Sequence, residues 1–203
     1  RIPLGFIKKM SNPVYENIPI IDLSLFETDQ QTCVQQIKNA CENLGFFYLK
    51  NHGISQEKIA EIFNISKSYF EQYSHEEKMK YALNEHYHGY AEMRKENLDI
   101  TRKNGDVKES FSFGEFNEEN EAKTQILPPF FKERAEFIAL FLRECHSLCL
   151  KIFQIFAMAL EIRQSEGGMH WFEERHHSNT ASCMCFNHYP PMDKFDPEEI
   201  RAG

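Results

Sequence analysis

The stretch from Phe130 to Ile162 limits what this chain can become. Phe137, Phe141, Leu148, Ile152, Phe156 and Leu160 recur at helical spacing along nearly a whole face, and further apolar residues spread around it. Such a helix persists in water only when other elements cover it on several sides. Arg143, Glu144 and Lys151 interrupt it, which makes it a core helix and not a membrane span, since a span needs roughly 20 apolar residues in a row. A chain of 203 residues can supply the cover, burying roughly two thirds of its unfolded surface in one ordinary domain. With 18 Phe against one Trp, phenyl rings are the packing material of that core.

The other elements read around this helix. Ile18-Pro19-Ile20-Ile21-Asp22-Leu23 is a short apolar strand in which Pro19 suits an edge or first position. Thr28 with Gln31 has the spacing of a capping box, and Val34, Ile37, Cys41 and Leu44 then mark a helix that Gly45 stops. Phe46-Phe47-Tyr48-Leu49 returns as a strand and Asn51-His52-Gly53 turns the chain. Ile59, Ile62, Phe63, Ser66, Tyr69 and Phe70 predict a second amphipathic helix, and Ser74 with Glu77 caps a short third one. The periodicity fades over 84–105, Phe111-Ser112-Phe113-Gly114 reads as a strand, and 117–123 as an acidic loop before Pro128-Pro129. Alternation resumes at 182–189, with Ser182, Met184, Phe186 and His188 on one side and Cys183, Cys185, Asn187 and Tyr189 on the other, up to Pro190-Pro191. A lone strand leaves an edge that needs a partner, so the abrupt end at Gly203 reads as an interruption.

Charge and cysteine narrow the function classes. A net charge of -8 without a Lys/Arg cluster argues against a nucleic-acid partner, because phosphate binding gains from clustered cations. No stretch resembles a secretion signal or a membrane span, and the default location is the cytoplasm, with nuclear access open. Of the six Cys, positions 145, 149, 183 and 185 fall in apolar elements and read as small core thiols in a reducing compartment.

Spacing alone nominates no catalytic centre. A non-haem iron site needs two imidazoles and a carboxylate on one face. The chain contains no His-x-Asp, and in its one His-x-Glu, His75 to Glu77, the carboxylate is better explained as the partner of Ser74. His86-x-His88 lies in a polar stretch and reads as solvent-facing, and His176-His177 beside Glu173 and Glu174 has too little geometry for zinc. His52 sits in a turn. No nucleophile elbow and no phosphate loop occurs.

An ordered set of segments does resemble one family. Ile18-Pro19-Ile20-Ile21-Asp22-Leu23, then 40–54 (Ala-Cys-Glu-Asn-Leu-Gly-Phe-Phe-Tyr-Leu-Lys-Asn-His-Gly-Ile), Glu76-Glu77-Lys78, His88-Gly89-Tyr90, 105–114 (Gly-Asp-Val-Lys-Glu-Ser-Phe-Ser-Phe-Gly), Leu160-Glu161-Ile162 and Asn187-His188-Tyr189-Pro190-Pro191 are similar to the isopenicillin N synthase-like iron(II)/2-oxoglutarate dioxygenases. The resemblance covers nearly all of the chain from Ile18 onward. It implies a mixed α and β fold in which an N-terminal helix and strand layer leads into a double-stranded β-helix, a jelly-roll whose later strands are not in these 203 residues. Residues 1–17 form an extension, 18–129 the N-terminal family region, 130–180 the long helix and a loop, and 181–203 the first part of the oxygenase core.

The resemblance further implies that Asn187 and Tyr189 reach 2-oxoglutarate, and it puts Tyr90, Lys108 and Phe111 towards a small-molecule substrate, with ordinary support of the layer as their other reading. The expected cofactors are iron(II) and 2-oxoglutarate, with dioxygen as cosubstrate, and the expected reaction oxidises a small organic substrate while releasing succinate and carbon dioxide. The family's iron ligands and its Arg-x-Ser clamp fall after a segment like Ile200-Arg201-Ala202-Gly203, so this chain by itself is expected to bind no metal and to be inactive. Two other readings stand beside this one: a noncatalytic binding or assembly module built on the same fold, and an isopenicillin N synthase-type oxidase that does not use 2-oxoglutarate.

Overall fold

The structure, a computed structural model, describes residues 18–96, 105–114, 116, 125–176 and 183–191. The acidic stretch 117–123, the extension 1–17, His177, Ser182 and the end at 198–203 lie outside the described residues. The chain divides into two units, Arg1–His52 with Ile152–Phe172 and Gly53–Lys151 with Glu173–Gly203.

In the first unit, β1 (Ile20–Asp22) pairs in parallel with β2 (Tyr48–Lys50), Ile21 opposite Leu49. Parallel neighbours need a crossover, which α1 (Leu25–Thr28) and α2 (Gln30–Asn43) provide. The expected Thr28–Gln31 cap is not the one used. Thr28 ends α1, and Asp29, with extended φ of -148°, caps α2 by accepting from the Thr32 amide at 3.2 Å. The buried stripe is Cys33, Val34, Ile37 and Ala40, so Cys41 falls outside it and is exposed. Gly45 does stop the helix, at φ 81°. The following strand starts two residues later than Phe46, which is itself exposed.

The second unit holds the aromatic core. Ser55 caps α3 (Gln56–Gln72), which buries Ile62, Ile65, Tyr69 and Phe70; Phe63, expected in that stripe, points to solvent because it lies off the Ile62–Ile65–Tyr69 line. The Ser74–Glu77 capping box opens α4 (His75–Met79) as the spacing predicts. β3 (Gly89–Ala91), β4 (Glu109–Phe113) and β5 (Met184–His188) form an antiparallel sheet in that order. Phe111, Phe113 and Phe186 face Tyr69 and Phe131, with ring centroids 4.4–5.9 Å apart along the chain of contacts.

The helix expected from Phe130 is two helices, α5 (Pro129–Lys132) and α6 (Ala135–Ala159). Arg134 sits at the break, donating to the Phe130 carbonyl at 2.8 Å with its guanidinium 4.0 Å from the centre of the Phe130 ring. This bond takes up a carbonyl at the end of α5 and fixes the turn. Phe137, Ile138 and Phe141 join the core, but Leu140 is exposed and most of α6 between 140 and 154 is only half-buried, so the long helix is covered less than its sequence leads one to expect.

The cysteines depart from expectation in the same way. All are free, Cys33 is the buried one, Cys145 is half-buried, and Cys149, Cys183 and Cys185 are exposed, since they lie on the flank of α6 and on the face of β5 opposite Phe186. Two glycines are demanded by close backbone approach. A Cβ on Gly89 would stand 2.5 Å from the Tyr81 carbonyl oxygen, and one on Gly105 would stand 2.2 Å from that of Arg94. The architecture is mixed α and β, a helix and strand layer with the opening strands of a double-stranded β-helix. No helix among the described residues is long and apolar enough to cross a membrane.

Candidate cofactor face

Side-chain alternation gives the β3–β4–β5 sheet two unlike faces. On β4, Glu109, Phe111 and Phe113 turn to the aromatic core while Ser110, itself buried, and Ser112 lie on the other side; on β5, Phe186 and His188 turn in and Cys185 and Asn187 turn out. The outward side is self-consistent in its contacts, with the Ser112 hydroxyl 3.4 Å from the Cys185 Sγ and that thiol 3.5 Å from the Asn187 Oδ1. Asn187 is exposed, and Tyr189, just past the end of β5, keeps 59% of its surface open. These are the two residues tied to 2-oxoglutarate in the sequence; Asn187 faces away from the core and Tyr189 follows the last residue of β5.

Lys108 precedes β4. Its Nζ lies 2.8 Å from the Glu96 carboxylate, and that hydrogen bond holds the ammonium above the usual lysine range, with the nearby Tyr189 and Cys185 acting in the same direction. Tyr90 and Phe111, the other two residues put towards a substrate, are buried on the core side. Phe111 packs between Tyr69, Phe113 and Phe131. Tyr90 belongs to a cluster that spacing did not find.

The cluster centres on Glu109, a buried carboxylate on the aromatic side of β4. Lys78 of α4 donates to its Oε2 at 2.6 Å, the Tyr90 hydroxyl donates to the same oxygen at 2.5 Å, and the His188 Nδ1 lies 2.8 Å from Oε1. Burial pushes the Glu109 carboxyl up, but the three hydrogen bonds and the Lys78 charge outweigh it and hold the group below the usual glutamate range. Burial, with the hydrogen bond to Glu109, raises the Tyr90 phenol, which therefore stays protonated and remains a donor. The His188 ring is stacked on Phe70 at 5.3 Å and 18°, and the Lys78 ammonium lies 5.6 Å from the Phe70 ring centre and 5.2 Å from that of Tyr90. The signal in the sequence was Glu109 itself, placed in step with Phe111 and Phe113: a carboxylate on the apolar side of a strand must be paired.

The histidines weighed as ligands are placed elsewhere. Glu77 is held in the capping box, and His75 instead lies 3.6 Å from Glu92; His86 lies 3.6 Å from Glu85. Among the described residues no three His, Cys, Asp or Glu side chains gather in a group able to hold a metal ion.

Comparison with known proteins agrees with this fold. Residues 18–131, more than half of the chain, match the family described as non-haem dioxygenase in morphine synthesis, N-terminal. A Schizosaccharomyces pombe protein, UPF0676 protein C1494.01, is 34% identical over 148 residues, covering 71% of this chain and 44% of its own length. Gibberellin 2-beta-dioxygenase 4 of Arabidopsis thaliana is 27% identical over 187 residues, covering 90% of this chain and 50% of that protein. The chain therefore spans about half the length of these relatives. Among solved structures, a full-length Neurospora crassa protein in complex with alpha-KG and thymine superposes with a TM-score of 0.70 at 23% identity, over 92% of this chain and 60% of that one. A 2OG-Fe(II) oxygenase family protein from Caulobacter crescentus gives 0.70 at 20% identity, over 92% and 59%, and both share the fold. The chain belongs to the isopenicillin N synthase-like superfamily of 2-oxoglutarate- and iron(II)-dependent dioxygenases, within which residues 18–131 form the N-terminal region.

Proposed function

We propose that the protein carrying this chain oxidises a small organic molecule with dioxygen and 2-oxoglutarate, and that the outward face of β5 helps to hold the 2-oxoglutarate. The observation that carries the reading is the exposure of Asn187, on the side of β5 turned from the aromatic core, and of Tyr189 just past the strand's end. An amide and a phenol are suitable donors to an organic acid. Family membership supports the chemistry: bound iron(II) supplies the activation of dioxygen in such enzymes. The part of this chain is to bind and orient the acid, and none of its described residues is assigned to the iron.

Two of the proteins named above are described for gibberellin and thymine, which differ in size and polarity and support nothing narrower than a small organic substrate. A cytoplasmic setting suits a chain whose cysteines are all free. The test uses the full-length protein with iron(II), dioxygen and 2-oxoglutarate. Iron-dependent succinate formation is expected, with Asn187→Ala and Tyr189→Phe raising the KM for 2-oxoglutarate more than they lower kcat. Substrate oxidation without succinate would favour the oxidase that does not use 2-oxoglutarate. A full-length protein that neither binds 2-oxoglutarate nor forms succinate would favour the noncatalytic module.

A further inference from the structure

The Glu109 cluster is larger than strand pairing requires. β4 and β5 are already joined by five register pairs, and the core side of their sheet already packs Phe111, Phe113 and Phe186. Even so, four chain segments send a polar group to one buried point: α4 through Lys78, β3 through Tyr90, β4 through Glu109 and β5 through His188. A buried network of this kind is costly when half-satisfied and rigid when complete. Here both Glu109 oxygens are occupied.

His188 is the member with a second consequence. It lies between Asn187 and Tyr189 in sequence and turns the opposite way. Its ring is fixed twice, by Glu109 at 2.8 Å and by the stack on Phe70. With the ring fixed, the backbone at the end of β5 and at the Tyr189 that follows has little freedom to tilt, and the side chains of Asn187 and Tyr189 inherit that pose.

We propose that His188, anchored by Glu109, Lys78 and Tyr90, is a positioning residue that sets the pose of Asn187 and Tyr189 for 2-oxoglutarate on the far side of the sheet. The inference rests on the reading of Asn187 and Tyr189 as contacts of that acid. It adds a role for three buried residues and the half-buried His188, none of which is read as touching the acid itself.

The test compares His188→Phe, His188→Gln and Asn187→Ala in the full-length protein. His188→Phe keeps an aromatic ring to stack on Phe70 and removes the bond to Glu109 Oε1, while Oε2 keeps Lys78 and Tyr90; far-UV circular dichroism of each variant checks that the fold is retained. His188→Gln can still donate to Glu109. Equilibrium binding of 2-oxoglutarate is measured by calorimetry with manganese(II) in place of iron(II), alongside amide hydrogen exchange over Met184–His188. The expected result is about tenfold weaker binding in His188→Phe, the size usual for loss of a supporting partner, with faster exchange in β5 and partial recovery of both in His188→Gln. Unchanged binding in His188→Phe with weakened binding in Asn187→Ala overturns the proposal and leaves the cofactor face standing. Unchanged binding in Asn187→Ala overturns the cofactor face and the proposal together.

Discussion

Asp22 and Glu109 gather donors in similar numbers. Asp22, at the end of β1, accepts from the Ser24 amide and hydroxyl and from the Asn51 side chain, with the Lys50 ammonium 3.3 Å away. Glu109 accepts from Lys78 and Tyr90 and meets His188. Both carboxyls are held below their usual range, Asp22 chiefly by the Ser24 hydroxyl and Asn51, and Glu109 against the opposing effect of burial. What separates them is water. Around Asp22 a lost donor is replaced by solvent, so its bonds shape a turn. Around Glu109 nothing replaces a lost partner, so each bond is also the remedy for a buried charge.

The largest test of that contrast is Glu109→Leu. It strands the Lys78 ammonium, which has 7% of its side chain exposed, and is expected to lower unfolding free energy by about 3–5 kcal/mol in urea titrations. Adding Lys78→Met should recover most of the loss, since a buried pair exchanged for apolar side chains is often neutral. A double variant no better than the single one would show that the cluster is not held by charge pairing.

Acid provides the next comparison. Because the folded carboxyl of Glu109 is lowered from 4.5, the stability it contributes is fully present above that value and is lost as pH falls through the lower folded value. Unfolding measured as a function of pH should therefore fall away on the acid side in the wild type, and less steeply in the Lys78→Met, Glu109→Leu double variant.

Tyr69 sharpens the argument with the opposite sign. Its hydroxyl is buried near Glu109 and has no hydrogen-bond partner among the described residues, and burial raises the phenol. Tyr69→Phe removes an unsatisfied group and is expected to raise stability by up to about 1 kcal/mol in the same titrations. A loss of stability would mean that the hydroxyl is satisfied after all. Asp22→Asn should have the smallest effect of the set, and its shift in urea midpoint should shrink further in high salt, because the charge is screened at the surface.

Local structure was largely legible in the sequence. The Ser74–Glu77 box and the α3 stripe at Ile62, Tyr69 and Phe70 follow from short-range rules, and so do the two sides of β5. The errors came where two local solutions compete. Asp29 displaced Thr28 as a cap because Thr28 still belongs to α1 and its hydroxyl donates back to the Ser24 carbonyl, which leaves the Asp29 carboxylate to meet the Thr32 amide, and Arg134 ended α5 through a bond to Phe130 that no periodicity announces. The Glu109 cluster was missed for a different reason. Its members are separated by 31, 19 and 79 positions, and what brings them together is the pairing order of the sheet. From the sequence one could say that Glu109 needed partners, but not that Lys78, Tyr90 and His188 were they.

The opposite facing of His188 and Asn187 also governs how this segment can change length. Losing or gaining one residue within Met184–His188 exchanges the two sides of everything beyond it, carrying an amide into the phenyl rings and an aromatic out to solvent. A change of two residues restores the sides. Insertions and deletions inside β5 are therefore expected to survive only in even numbers or with a bulge to absorb the odd residue.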